Sequence, residues 1–141
     1  MSETGFEDTD FRDFRVPEEK HELYVELSDT EMSPLHEADM FEIFLLAFGY
    51  GCRKAGREPF KGGKSLFNRS TLDEQTQWII KAVAVDEVDN PDILIDDKKI
   101  REIAEEYACG GITELHSNVF APGDGLIKLS DDLLRLSEVT E

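Results

Sequence analysis

The chain has 141 residues, with 32 acidic against 15 basic side chains and a formal net charge of −17. That length suits one domain, able to bury roughly two-thirds of the surface its unfolded chain exposes, and leaves no room for a second. Its apolar runs are short and broken by charge, and the opening residues are acidic where a secretory leader is basic and then apolar, so neither a membrane span nor a leader is expected and the expected location is the cytoplasm.

Residues 1–16 are acidic and lack an apolar period, which predicts a flexible tail anchored at most by Phe6, Phe11 and Phe14. Residues 17–141 are expected to form a single helical domain. Pro17, followed by Glu18 and Glu19, suits a first helical turn, and that helix should run to about Ser28 with Leu23, Tyr24 and Leu27 on one face. From Ser33 to Lys54, Pro34 opens a segment that Met40, Phe41, Ile43, Phe44, Leu45, Leu46, Ala47 and Phe48 make apolar on most sides, as a core helix should be. Gly49 and Gly51 mark either close backbone contact with a neighbour or an early helix end.

A loop rich in glycine and lysine is expected from about Gly56 to Arg69. Ser70 or Thr71, with an acid three places on, then caps a helix whose apolar positions are Leu72, Trp78, Ile79, Ala82 and Val83. Asn90-Pro91 breaks the pattern. Beyond Asp96 or Asp97 the positions Ile100, Ile103, Ala104 and Tyr107 follow helical spacing. Gly110-Gly111 is expected to stop that helix, a shorter one carrying Ile112, Leu115 and Val119 to follow, and a last helix from about Leu126 to Leu136 to close the domain. The expected fold is all-α, a compact single-domain bundle of about five to six helices with an acidic N-terminal tail.

The charge has two readings. Carboxylates spread over nearly every helix and loop keep a surface hydrated in a salty cytoplasm, where screening relieves their repulsion, and this halophilic reading suits the even distribution. The alternative is an acidic mimic of DNA that inhibits a DNA-binding protein. Gly62-Gly63-Lys64-Ser65 resembles the end of a phosphate-binding loop, but Glu58 stands where its first glycine belongs, and a helix precedes it where a strand is required. Cys52 and Cys109 have no partner at metal-ligand spacing, and His21, His36 and His116 lie on separate helices. Acidic pairs such as Asp96-Asp97 and Asp131-Asp132 read as solvated faces on so acidic a chain. No catalytic residue, metal ligand or cofactor is assigned.

The basic distribution is more informative. Between residues 53 and 69 stand Arg53, Lys54, Arg57, Lys61, Lys64 and Arg69 against the single acid Glu58, leaving nine basic against 31 acidic residues elsewhere. This island either contacts DNA phosphate or an acidic partner, or neutralises nearby carboxylates and holds its loop against the body.

One further pattern runs from Phe41 to Leu136. An apolar helix ends in Ala47-Phe48-Gly49-Tyr50-Gly51 and is followed by Gly56-Arg57-Glu58-Pro59-Phe60, a Trp-bearing helix, Asp92-Ile93-Leu94, Glu106-Tyr107-Ala108-Cys109-Gly110-Gly111-Ile112 and Pro122-Gly123-Asp124. This order resembles the small accessory proteins called DNA phosphorothioation-associated, or Dnd-system-associated, proteins, the fourth such family to be named. The Gly-Arg-Glu-Pro turn and the Glu-Tyr-Ala-Xaa-Gly-Gly stretch are its most specific pieces, and neither is a catalytic signature. The resemblance implies a place beside the proteins that replace a phosphate oxygen of DNA by sulfur and restrict unmarked DNA, in defence against phage. The expected function is therefore a non-enzymatic accessory or regulatory subunit that binds DNA or a system protein through the island. A metal-dependent nuclease is a further alternative. The oligomeric state is not legible.

Overall fold

The computed structural model of the chain describes residues 12–120. They are mostly helical, but they also contain a two-stranded antiparallel sheet, so the all-α expectation is corrected. Four α-helices lie among the described residues, where about five to six were expected for the whole chain. The expected closing helix from Leu126 to Leu136 and the anchors Phe6 and Phe11 fall outside the described residues.

Strand β1 (Asp13–Val16) occupies the last four residues read from sequence as tail, and β2 (Lys64–Asn68) lies inside the stretch read as loop. The two pair with Arg15 opposite Ser65 and Val16 opposite Lys64, with an irregularity between Phe14 and Arg15. Alternation explains the strand: Phe14 and Val16 point into the core while Arg15 faces out. Phe14 sits in an aromatic group, its ring 5.1 Å from Phe67 and 5.4 Å from Phe44. So short a strand gains its stability from that packing rather than from its ladder.

Helix α1 (Glu18–Asp29) starts after Pro17 with Glu18 and Glu19 in its first turn and buries Tyr24 and Leu27. Helix α2 (Met40–Tyr50) begins later than Pro34 suggested. The chain needs a cap to enter the helix, and Asp39 and Glu42 supply it reciprocally, the Asp39 amide donating to the Glu42 carboxylate at 2.9 Å. Beyond Tyr50 the helix widens into a π turn over Gly51–Ala55.

Helix α3 (Glu74–Val88) is capped by Asp73, whose carboxylate accepts from the Thr76 amide at 2.8 Å, while Arg69–Thr71 forms a separate 3-10 turn. Its buried face is rotated from the expected one: Gln77, Ile80, Lys81 and Ala84 are buried, and Trp78 and Ile79 are exposed. Polar groups can face inward here because they find partners. The Gln77 amide donates to the Leu72 carbonyl at 2.8 Å, and the Lys81 ammonium lies 4.8 Å from the Trp78 ring centre.

Helix α4 (Asp97–Val119) is the longest, and it runs through Gly110-Gly111 without a break, correcting the expected stop. Ile100, Ile103, Ala104, Ala108, Ile112 and Leu115 form its buried stripe. The glycines serve the crossing with α2. A Cβ on Gly111 would fall into the Ala47 carbonyl, one on Gly51 into the Tyr107 carbonyl, and one on Gly110 into the Gly56 carbonyl. Gly51 meeting Tyr107 and Ala47 meeting Gly111 make α2 and α4 antiparallel, with backbones closer than side chains would permit. For Gly51, close contact is thus the reading that holds.

Candidate functional site

The island leaves α2 on the π turn, which carries Arg53 and Lys54. Lys54 points back toward α4, 3.9 Å from Glu114 and 5.8 Å from the centre of the Tyr50 ring. Gly56 then takes φ +78°, turning the chain so that Arg57 faces the body. The Arg57 guanidinium lies 3.2 Å from Glu87 of α3 and 3.0 Å from Glu106 of α4. Its Nε–H is not aimed at the Glu106 oxygen, so the second contact is a charge pair rather than a hydrogen bond. The Tyr107 hydroxyl donates to Glu87 at 2.6 Å, and burial with that bond holds the phenol well above its usual range.

Three further bonds close the junction. The Glu58 amide donates to the Glu106 carbonyl at 2.9 Å, and the Lys20 ammonium donates to the Glu58 carboxylate at 3.0 Å and the Cys109 carbonyl at 2.8 Å. Gly-Arg-Glu-Pro and Glu-Tyr-Ala-Cys-Gly-Gly are therefore the two sides of one contact. Arg57 acts as the holding residue that the neutralisation reading anticipated.

The remaining cations stay on the surface. Arg53, Lys61 and Lys64 are exposed and make no ion pair with a described residue. Lys61 precedes the turn in which Gly62 and Gly63 both take positive φ, and Lys64 opens β2. Burial and the nearby Lys64 charge hold His21 below its usual value, which sets Lys64 close to the start of α1. Arg69 opens the 3-10 turn, its amide donating to the Arg12 carbonyl at 2.9 Å. The fold thus gathers the end of the island with Arg12 and Arg15, which by sequence alone belong to the acidic tail. The signal for them was the alternation Phe14-Arg15-Val16, too short to stand out.

Beneath this surface the Arg15 amide donates to the Glu105 carboxylate at 2.7 Å, so a side chain from α4 closes the outer edge of β1. Burial pushes Glu105 up to about 7, against the opposing pull of the Arg15 amide and the Arg101 guanidinium 3.6 Å away.

Other reactive side chains are arranged for structure. Burial and Glu87 push the Cys52 thiol up to about 12, and burial pushes Cys109 up to about 11, so both stay protonated at neutral pH. His116 contacts Glu26 at 2.7 Å and His36 the Ser28 carbonyl at 3.1 Å, so the histidines share no site. Among the described residues no group of three or more His, Cys, Asp and Glu side chains is placed to hold a metal ion, and no helix is long and apolar enough to cross a membrane.

Fold and surface together define a small, mostly helical domain with a pinned central crossing and a local basic surface on an acidic body. The chain belongs to the family described as DNA sulphur modification system-associated protein 4, whose model matches residues 13–137. The match opens at the first residue of β1, so the ribbon lies within the family domain. Neither a curated protein nor a solved structure matches the chain. Membership associates the chain with a DNA sulphur modification system.

Proposed function

We propose that the protein is a non-enzymatic accessory or regulatory subunit of a DNA phosphorothioation-linked modification and restriction system, working in the cytoplasm and contacting a system protein or DNA through the exposed part of the island. The observation that carries this reading is the presence of Arg53, Lys61 and Lys64 as exposed cations that pair with no described residue, on a chain of net charge −17. Lys54 and Arg69 flank them, and Arg57 fixes the loop that presents them. Exposed cations within a repelling field attract an anionic partner locally and reject one that approaches elsewhere.

Co-purification from the native host tests the reading. The wild-type chain should bring down a sulfur-modification or restriction component, and R53S/K61S/K64S should melt at the same temperature while losing it. Recovery of no such component, or unchanged recovery by the folded triple variant, counts against the role or the surface respectively.

A further inference from the structure

Arg12 and Arg15 lie outside the island in sequence, yet pairing of β1 with β2 brings them beside its end. Arg15 stands opposite Ser65, Val16 opposite Lys64, and the Arg69 amide bonds the Arg12 carbonyl. Phe14 and Val16 occupy the inner face, Arg15 with its partner Ser65 stands on the outer one, and Arg12, Lys64 and Asn68 are exposed at the ends of the ribbon. Two acids at the ribbon, Asp13 and Glu105, are already engaged. Asp13 lies 3.6 Å from Arg12, and Glu105, beneath the edge, takes the Arg15 amide and faces Arg101.

We propose that this ribbon, through its exposed outer side and ends, binds the sugar-phosphate backbone of double-stranded DNA. The inference deepens the accessory-subunit reading and rests on it. Arginine and lysine with serine and asparagine are side chains that contact phosphate oxygens in protein–DNA interfaces. A two-stranded ribbon also offers its row of side chains as a narrow ridge, a shape that duplex grooves and their phosphate rims accept. The overall charge of −17 does not forbid the contact. At physiological ionic strength the Debye length is about 8 Å, so the local cations outweigh acids farther away. The patch reads charge and not base sequence, and its affinity falls with salt.

The experiment uses the full chain and a short fluorescent duplex, with anisotropy followed from about 50 to about 200 mM potassium chloride. Wild-type protein should bind at the lower concentration. R12S/R15S should bind about tenfold or more weakly there and lose roughly two units from the slope of log affinity against log salt. K98S/K99S, which removes the same charge from the first turn of α4, should retain near wild-type binding, and so should R12K/R15K, which keeps the charge and guards against a folding defect. No binding by the wild type at low salt, an unchanged R12S/R15S, or equal weakening by K98S/K99S overturns the proposal. Outcomes for the two readings separate cleanly. A wild type that recovers a system component but binds no duplex removes the ribbon proposal alone, and one that binds duplex but recovers no component removes the accessory role alone.

Discussion

At the crossing of α2 and α4, Gly51, Gly110 and Gly111 sit in helical or π-turn backbone where their lack of a side chain lets two main chains touch. Across the basic loop, Gly56, Gly62 and Gly63 take φ of +78°, +70° and +110°, and their lack of a Cβ permits the backbone to turn. In the first region glycine answers to a neighbour distant in sequence; in the second Gly56 and Gly62 answer to their own dihedrals alone, while Gly63 answers both to its dihedral and to the Val16 carbonyl, 2.8 Å from where a Cβ would sit. The difference teaches why one region is rigid to substitution while the other can carry exposed charge. A turn glycine with open space around it places no demand on the core.

Gly111→Ala breaks or confirms the comparison most sharply, because the two reasons for a helical glycine predict opposite signs. In an open helix the change would stabilise by about 1 kcal/mol. Against the Ala47 carbonyl it should instead destabilise by on the order of 3 kcal/mol or more, since backbone must move to admit the methyl group. Urea denaturation measures it, and a stabilised variant would show that the helices do not touch there.

A second prediction concerns the support that the rigid side lends the ribbon. Glu105 is 6 % exposed and titrates near 7 in the folded chain, above the ordinary carboxylate value of 4.5. Its proton is held more tightly folded than unfolded, so the associated stability is complete below about pH 4.5 and is lost as pH rises through about 7. Glu105→Gln keeps an acceptor for the Arg15 amide and removes that loss. Its stability relative to wild type should therefore climb between those values, by up to about 2–3 kcal/mol. Melting curves across that range check the slope, and parallel profiles for the two proteins would place the titrating group elsewhere.

The smallest effect belongs to the turn. No atom outside its neighbours lies within 4 Å of a Cβ built on Gly62, so Gly62→Ala meets only the penalty of its positive φ, about 1 kcal/mol. DNA or partner binding by that variant should follow its folded fraction. A loss several times larger in the same urea assay would mean that the turn is packed, and the contrast between the two glycine sets would fail.

Local chemistry determined much of this molecule directly. Pro17 with its two acids set the start of α1, and the spacing of Ile100, Ile103 and Ala104 set the inward face of α4, because each signal acts within one or two turns of chain. The segregation of six cations into residues 53–69 also needed only the sequence. The family likeness was legible there too, through Gly-Arg-Glu-Pro and Glu-Tyr-Ala-Cys-Gly-Gly. Only the tertiary structure decided that those two stretches face each other across Arg57 and Glu106, that α4 continues through Gly110-Gly111, and that α3 turns Trp78 outward while Gln77 and Lys81 face in. It alone decided that Arg12 and Arg15 join the island. The helix crossing and the ribbon depend on partners far away in sequence, a carbonyl on α2 and a strand fifty residues on, whereas Gln77 finds its acceptor nearby at Leu72 and is turned inward by the packing of α3. A glycine or an arginine states locally what it permits, and only the neighbour that packs against it selects among those permissions.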